Sequence, residues 1–307
     1  MRRVPRPRRP EGYSLIRLLA AGVCNTDLEL QRGYYGFSGR PGHEFVGVVE
    51  ESGDRGRVGQ RVVGEINLAC RACDWCRRGL GRHCPKRRVL GIVKQPGAFA
   101  EWFVLPDHNL HAVPATVATR HAVFAEPIAA ACEILDQVKI PKGREVAVLG
   151  DGKLGLLIAQ VLHSHGARVL LFGRHPEKLR IAQAAGIVTE CKAKRLPVKA
   201  FEFVVDATGS PSGLAAAARM TEPRGTVIMK STVHDAVSID TAPIVVDEIT
   251  LVGSRCGRMK PALDLLRRGV LRLDDMIAAA YPLERAPRAF AHAAEPGVLK
   301  VQLEVNT

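Results

Sequence analysis

Residues 145–155 read EVAVLGDGKLG, and this stretch decides the fold. A strand pattern (145–149) leads directly into the spacing G-x-G-x-x-G, and a helical pattern follows over 154–165. The glycine spacing alone is a weak signal. Between a strand and a helix, however, it places backbone N–H groups and a helix N-terminus where a pyrophosphate can bind. We therefore predict a dinucleotide-binding turn; the alternative is a glycine-rich turn without a ligand. The residues predicted to contact the dinucleotide are Gly150, Gly152, Lys153, Leu154 and Gly155.

Apolar strands and amphipathic helices alternate on both sides of this turn. An Ala-rich helix is predicted over 129–138 and another helix over 176–185. Further strands are predicted over 168–172, 202–206, 225–229 and 249–253. Continuous apolar strands that alternate with helices indicate a parallel sheet covered on both faces. This part of the chain is predicted to be a doubly wound α/β domain of the Rossmann type.

The end of the second strand bears on the choice of cofactor. An acidic residue about twenty positions after the glycines would accept the ribose hydroxyls of NAD. Here the strand ends in Phe172, Gly173, Arg174 and His175, without a carboxylate. Arg174 offers a permanent charge that suits the 2′-phosphate of NADP, so NADP is predicted to be preferred, with NAD as the second choice. The alternative is that Arg174 is a solvated loop residue.

Residues 13–110 have a different sequence pattern. Short β segments, such as 45–50, 61–64 and 98–104, are separated by glycines and prolines. This pattern predicts a small barrel or partly open sheet. The tail, 261–307, is predicted to hold at least one helix and a final strand over 298–303.

The net charge of +13 is compatible with nucleic acid, a membrane surface or an anionic small molecule as partner. Five arginines lie within the first ten residues, however, and the other basic residues are scattered. No apolar run approaches the ~18 residues of a membrane span. We therefore expect neither nucleic acid nor a membrane as partner. The proline-rich start is expected to be extended or ragged and does not predict export.

Four of the eight cysteines fall within fifteen residues, as Cys70-x2-Cys73-x2-Cys76-x7-Cys84. Four thiolates at this spacing can surround one zinc ion with no open position, which is typical of a structural site. The alternatives are an iron–sulfur cluster or four free thiols. Clustered cysteines in a long chain point to a reducing compartment, so a cytoplasmic protein is expected.

The order of several motifs resembles that of the zinc-dependent medium-chain alcohol dehydrogenases, with the polyol, sorbitol and threonine dehydrogenase branch as the nearest match. These motifs are Cys24, Gly42-His43-Glu44, the four-cysteine segment, Ala125-Glu126-Pro127 and the glycine-rich turn. The resemblance implies an α/β fold in which a Rossmann doubly wound parallel sheet is joined to a discontinuous, mostly β, GroES-like catalytic domain with a structural zinc lobe. The implied division is 1–125 for the first part of the catalytic domain, 126–256 for the nucleotide-binding domain and 257–307 for the return.

The resemblance also implies roles for single residues. Cys24, His43 and Glu44 match the positions of the catalytic zinc, so two zinc ions per chain are expected. Glu126 matches a position that supplies either another ligand or a hydrogen bond to zinc-bound water. Thr26 matches the hydroxyl that relays the substrate proton, and Asp27 a position beside the zinc histidine. A homodimer or homotetramer is expected.

The chain also departs from the family pattern. Only 23 residues precede Cys24, where family members carry an additional N-terminal strand. Either the sequence starts late or one barrel strand is missing.

The predicted function is hydride transfer between a primary or secondary alcohol, polyol or sugar and NADP or NAD, catalysed with zinc. Within the enzyme class, a zinc-free quinone or enoyl reductase would need neither metal site. The alternative from another class is a basic zinc-ribbon protein that binds nucleic acid or protein and senses nucleotides. It leaves Cys24, Thr26, His43 and Glu44 without a role. The aromatic loop 33–37 can stack on a sugar ring, although packing onto the core is the more common role of such a loop.

Overall fold

The computed structural model describes residues 3–33, 36–232 and 237–305. Tyr34 and Tyr35 of the aromatic loop lie outside the described residues. The chain forms two compact units, one of residues 1–126, 258–269 and 277–307 and the other of residues 127–257 and 270–276. No helix in the described ranges combines the length and the apolar composition that crossing a membrane requires.

The strands are β1 (Tyr13–Val23), β2 (Glu44–Glu51), β3 (Arg61–Gly64), β4 (Asn67–Leu68), β5 (Arg88–Leu90), β6 (Lys94–Gln95), β7 (Trp102–Pro106), β8 (Leu110–Ala112), β9 (Glu145–Leu149), β10 (Arg168–Gly173), β11 (Val188–Cys191), β12 (Phe201–Asp206), β13 (Thr221–Met229), β14 (Thr250–Gly253), β15 (Ile277–Pro282) and β16 (Lys300–Glu304).

The helices are α1 (Asn25–Gln31), α2 (Asp74–Arg77), α3 (Thr119–Ala122), α4 (Ala125–Gln137), α5 (Lys153–His165), α6 (Pro176–Ala184), α7 (Gly213–Met220), α8 (Ala242–Val246), α9 (Met259–Arg268) and α10 (Ala286–Ala293).

The second unit is built on a parallel sheet with the strand order β11-β10-β9-β12-β13-β14. This is the order of the doubly wound dinucleotide-binding fold, in which ligands bind at the carboxyl ends of the strands where the order reverses. That reversal lies between β9 and β12, since Val146 of β9 is in register with both Val169 of β10 and Phe203 of β12. The predicted Rossmann sheet is therefore confirmed, and the glycine-rich turn leaves β9 at the reversal.

In the first unit, β1 is the central strand of a mostly antiparallel sheet. It pairs with β16, β2 and β7, and β3, β8 and β15 extend the same sheet. Most of its eleven residues are buried, because neighbouring strands and the core cover them. Gly22, near the end of β1, pairs with Glu44 at the start of β2 and with Gln302 in β16. Three strand ends therefore meet where β1 passes into α1.

The predicted strand over 98–104 starts only at Trp102 in the structure. The residues before it bond to a loop instead of a strand. Gly97 N–H donates to Arg40 O at 2.7 Å, and Ala98 N–H donates to Gly42 O at 2.8 Å. These bonds fix the loop that leads into His43, which explains why the extended sequence pattern does not continue as a sheet.

Residues 270–276 belong to the second unit, although the sequence analysis assigned the whole of 257–307 to the first. Two contacts with Gln160 of α5 account for this. Its side-chain oxygen accepts the Arg272 N–H at 2.6 Å, and its nitrogen donates to the Met276 sulfur at 3.7 Å. Met276 and Gln160 are both buried, so this segment completes the packing around α5.

Residues 3–10 form no helix or strand, and arginines attach them to the sheet. The Arg6 guanidinium donates to Glu50 and Glu51 at 2.9 Å and lies 5.5 Å from the Trp102 ring centre. Glu50 also accepts hydrogen bonds from Arg17 at 2.8 Å and from the Trp102 indole at 2.9 Å. The basic start of the chain is therefore partly neutralised by the acidic end of β2.

Candidate active site and metal centres

The three strand ends of the first unit bring Cys24, His43 and Glu44 together. Cys24 follows β1, while His43 and Glu44 lie at the start of β2. Their ligand atoms all lie within 4.8 Å of one another. His43 and Glu44 are buried, at 3% and 1% exposure. A thiolate, an imidazole and a carboxylate form a donor set that suits Zn²⁺, and three protein ligands leave a fourth position open, as in catalytic zinc sites.

Asp27 holds this cluster in place from beneath. Its Oδ2 accepts the Cys24 N–H at 2.9 Å, and its Oδ1 accepts the Gly42 N–H at 3.1 Å. The same Oδ1 lies 3.3 Å from His43 Nδ1, which leaves Nε2 as the ring atom that can face a metal. Burial opposes a charge on His43, but Asp27 and Cys24 outweigh it and raise its pKa well above the ordinary value. Metal binding here therefore competes with a proton on His43.

Thr26 lies in the first turn of α1, and its Oγ1 is 3.7 Å from Cys24 Sγ. The hydroxyl predicted to relay a proton is thus beside the cluster. Glu126, at the start of α4, is not among the three residues that the structure brings together there.

Lys300 is a residue of this site that the sequence analysis missed. Its ammonium is hydrogen-bonded to Glu44 Oε2, and its side chain is 2% exposed. Burial opposes its charge, but Glu44, Cys24 and Asp27 outweigh the effect and raise its pKa. The available signal was a lysine within a strand pattern (298–303) whose other residues, except Gln302, are apolar. A side chain at Gly22 would collide with Glu44 Oε2, so the ion pair also requires the glycine.

The four-cysteine segment forms a second cluster. The measured separations are 3.5 Å for Cys73–Cys76 and Cys70–Cys84, 3.7 Å for Cys73–Cys84 and 3.9 Å for Cys70–Cys76. Four sulfurs at ~2.3 Å from one zinc ion form a tetrahedron with edges of about 3.8 Å. The same separations are too long for a disulfide, whose sulfurs lie about 2.05 Å apart. The geometry therefore fits one zinc ion enclosed by protein.

Hydrogen bonds prepare one of these sulfurs for metal binding. The backbone N–H of Ala72, the Cys84 thiol and the backbone N–H of Cys73 lower the pKa of Cys70 to about 6. Donors of this kind stabilise the thiolate, which is the form that binds metal.

The glycine-rich turn of the second unit has the geometry of a phosphate cradle. Gly150 has φ +108°, and a side chain there would lie 2.5 Å from Ala207 O. A side chain at Gly155 would collide with Gly150 O. Because glycine has none, α5 can lie close to the end of β9. Among the residues that the structure describes, other than the two chain neighbours, none has a heavy atom within 4 Å of the Cβ position of Gly152, the N-cap of α5. This open space at a helix N-terminus fits the pyrophosphate of a dinucleotide.

The end of β10 differs from the sequence-based expectation. We expected no carboxylate there, and the structure places that of Asp151 at this strand end. Asp151 Oδ2 accepts the backbone N–H groups of Arg174 and His175, both at 2.7 Å. Its Oδ1 lies 3.0 Å from His175 Nδ1. In this fold the acidic residue is expected after the second strand, whereas Asp151 lies inside the glycine-rich turn.

Comparisons with known proteins agree with this geometry. Residues 10–115 match the alcohol dehydrogenase GroES-like domain, and residues 154–268 match the zinc-binding dehydrogenase family. The D-altritol 5-dehydrogenase of Agrobacterium fabrum is 30% identical, over 95% of this chain and 92% of its own length. The D-arabitol-phosphate dehydrogenase of Enterococcus avium is 27% identical, over 98% and 92%. A zinc-binding dehydrogenase from Sinorhizobium meliloti, crystallised with NADP, is 28% identical with a TM-score of 0.90, over 99% and 95%.

The chain belongs to the zinc-dependent medium-chain alcohol dehydrogenase family. It is accordingly an oxidoreductase of alcohols or polyols that uses zinc and a nicotinamide dinucleotide. The alternative of a nucleic-acid- or protein-binding zinc ribbon is not favoured, because the family match extends far beyond the four-cysteine segment.

Proposed function

We propose that this protein oxidises a secondary alcohol of a polyol or sugar, with zinc held by Cys24, His43 and Glu44. The observation that carries the proposal is the convergence of these three ligand atoms beside the Thr26 hydroxyl. Two relatives that match almost the whole chain, a D-altritol and a D-arabitol-phosphate dehydrogenase, support a polyhydroxylated substrate.

When bound, zinc supplies a Lewis acid that lowers the pKa of an alcohol, and nicotinamide supplies the hydride acceptor. Thr26 accepts the alcohol proton at Oγ1 and passes it toward solvent. Asp27 fixes the orientation of the His43 ring and of the Cys24 backbone. Lys300 holds Glu44 by one carboxylate oxygen, which leaves the other oxygen for the metal. Glu126 remains a predicted further ligand or hydrogen-bond partner of a zinc-bound water.

The two metal sites have different roles in this proposal. The cluster of Cys70, Cys73, Cys76 and Cys84 takes one structural zinc, and the cluster of Cys24, His43 and Glu44 takes one catalytic zinc. Support comes from the sulfur separations of the first cluster and from the open fourth position of the second. The expected metal content is therefore two zinc ions per chain.

The dinucleotide is proposed to bind at Gly150, Gly152, Lys153, Leu154 and Gly155, with its pyrophosphate at the N-terminus of α5. The preference for NADP remains a prediction that rests on Arg174, an exposed residue. The carboxylate of Asp151 beside it weighs against that preference.

A homodimer or homotetramer is proposed as the assembly. The edge strand β14 and the preceding helix α8 support this, because Val245, Val246 and Leu251 are 74%, 78% and 39% exposed. Light scattering on the purified protein tests the assembly.

The cytoplasmic location remains a prediction. It is supported by the eight cysteines, all of which are described and none of which forms a disulfide.

The test of the proposed function is a panel of simple alcohols, polyols and sugars with each nicotinamide cofactor, with zinc content measured in parallel. We expect reduction of the cofactor with at least one polyol or sugar and loss of that activity after chelation. A protein that holds zinc in both sites and reduces cofactor only with simple alcohols would contradict the proposed substrate class.

A further inference from the structure

We propose that Asp151 sets the cofactor choice of this enzyme: from within the glycine-rich turn, it takes the place of the missing strand-end carboxylate and favours NAD over NADP. The inference rests on the use of a nicotinamide dinucleotide and deepens it by naming the residue that distinguishes the two cofactors. It reverses the preference that the sequence alone predicts from Arg174.

The position of Asp151 carries the first step. In a doubly wound fold, the adenosine ribose lies at the carboxyl end of the second strand, where an acidic side chain accepts its hydroxyls. That strand is β10, which ends at Gly173. A Cβ at Gly173 would lie 2.5 Å from Asp151 Oδ2. The carboxylate therefore occupies the space next to the strand end, and it fits because residue 173 has no side chain.

The second step is the use of the backbone donors in this loop. A phosphate bound after β10 would need N–H groups, and the N–H groups of Arg174 and His175 point at Asp151 Oδ2, each at 2.7 Å. The His175 ring adds a third contact at 3.0 Å from Oδ1. A carboxylate has about four acceptor sites. One acceptor site is left on Oδ1. It can accept a hydrogen bond from a ribose hydroxyl, whereas a phosphate needs donors and gains no hydrogen bond from it.

The two opposite charges beside the strand end, on Asp151 and Arg174, differ in their burial. Asp151 is 6% exposed, whereas Arg174 is an exposed residue. Burial acts to raise the pKa of Asp151, but the His175 ring and the two N–H groups outweigh it, so the pKa lies below its ordinary value and the group is ionised at neutral pH. A buried charge is screened less by solvent and salt than an exposed one. The buried carboxylate thus opposes a 2′-phosphate more strongly than the exposed guanidinium attracts it.

The test uses fragments of the cofactor that reach only this end of the site. Calorimetry measures the Kd of adenosine 5′-monophosphate and of adenosine 2′,5′-bisphosphate for the unmodified enzyme, for Asp151→Asn and for Arg174→Ala. We expect the unmodified enzyme to bind the monophosphate more tightly. Asp151→Asn should shift the ratio of the two Kd values toward the bisphosphate by about tenfold or more, whereas Arg174→Ala should leave the monophosphate Kd within about twofold.

The same ratio measured with NADH and NADPH by fluorescence should follow the fragments. Tighter binding of the bisphosphate by the unmodified enzyme overturns the proposal without any variant, so a poorly folding Asp151→Asn protein would not prevent the test. An unchanged ratio in a folded Asp151→Asn also overturns it. Either result leaves the proposed polyol oxidation standing, because that activity is measured with both cofactors. Binding of neither fragment would overturn this inference and weaken the proposed cofactor site as well.

Discussion

Glu44 and Lys300 form a buried ion pair across 256 positions of sequence, at the edge of the cluster of Cys24, His43 and Glu44. Glu44 begins β2 and Lys300 begins β16, and both strands pair with β1. Strand β16 therefore supplies the counter-charge for Glu44 of β2.

In protein without a metal ion beside Glu44, replacement of Lys300 by Met should leave a buried carboxylate without its counter-charge. Removal of one partner of a buried ion pair typically costs about 3–5 kcal/mol, so we expect a loss of this size in the free energy of unfolding. Urea denaturation measures it. Lys260→Met, at an exposed lysine, is the matched control and should change stability by less than about 0.5 kcal/mol. The double variant Glu44→Gln/Lys300→Met should recover part of the loss, and equal stability of Lys300→Met and Lys260→Met would contradict the ion pair's role.

Replacement of Cys76 by Ser should remove one sulfur from the closed four-cysteine cluster. Because a structural metal contributes directly to folding, we expect the loss of about one zinc ion per chain and of roughly 3 kcal/mol or more of stability. Metal analysis and thermal melting check this outcome. Cys191→Ser is the control, since Cys191 is exposed and far from this cluster in sequence. A Cys76→Ser protein that keeps both its zinc content and its melting temperature would argue against a closed site.

Replacement of His43 by Ala should abolish turnover and leave adenosine 5′-monophosphate binding within about twofold, because the nucleotide turn belongs to the other unit. Steady-state kinetics and calorimetry separate the two effects. Thr26→Val should keep zinc while kcat falls by roughly 10²-fold or more, since it removes the hydroxyl and keeps the shape. Full activity in Thr26→Val would assign the proton transfer to another group.

The acid limb of stability should depend on Asp151. Its folded pKa lies below the unfolded value of about 3.9, so its hydrogen bonds stabilise the protein fully above that value. The contribution is lost as the pH falls through the folded pKa. The stability difference between the unmodified protein and Asp151→Asn should accordingly shrink as the pH falls from about 4 through the folded pKa. Chemical denaturation across this range measures it, and a difference that grows with acidity would have the wrong sign.

Glu50 should matter more to stability than its neighbour Glu51. Glu50 accepts hydrogen bonds from Arg6, Arg17 and the Trp102 indole, whereas Glu51 accepts one from Arg6. Glu50→Gln should cost about 1 kcal/mol, and Glu51→Gln at most about 0.5 kcal/mol. Paired urea titrations compare the two. Equal effects would show that the N-terminal arginines contribute through general charge alone.

Much of the fold was predictable because its signals are local. The strand 145–149 and the glycine spacing after it have the predicted bounds, since an apolar run followed by G-x-G-x-x-G constrains the backbone over a few residues. Cys24, His43 and Glu44 were inferred from short motifs, and the structure brings them together. Their convergence itself depends on the pairing of Gly22 with Glu44, which no local pattern specifies.

The contacts that were missed are those that join distant segments. Lys300 reaches Glu44 only through the alignment of β16 on β1, and Asp151 reaches Arg174 and His175 only because β9 and β10 are neighbours. The prediction of NADP considered only the residues at the strand end and did not include Asp151. Contacts between side chains on different strands leave no signal in the local sequence pattern of either strand.

The closure of the ion pair by the last strand has a consequence for biosynthesis. A ribosome releases Cys24, His43 and Glu44 early, but Lys300, the buried partner of Glu44, emerges 256 positions after Glu44. Until then no cationic side chain from β16 offsets the cost of burying the charge of Glu44 between β1 and β2. The arrangement of Cys24, His43 and Glu44 is therefore completed only once β16 has been made, and we expect a chain truncated before β16 to be open to proteolysis.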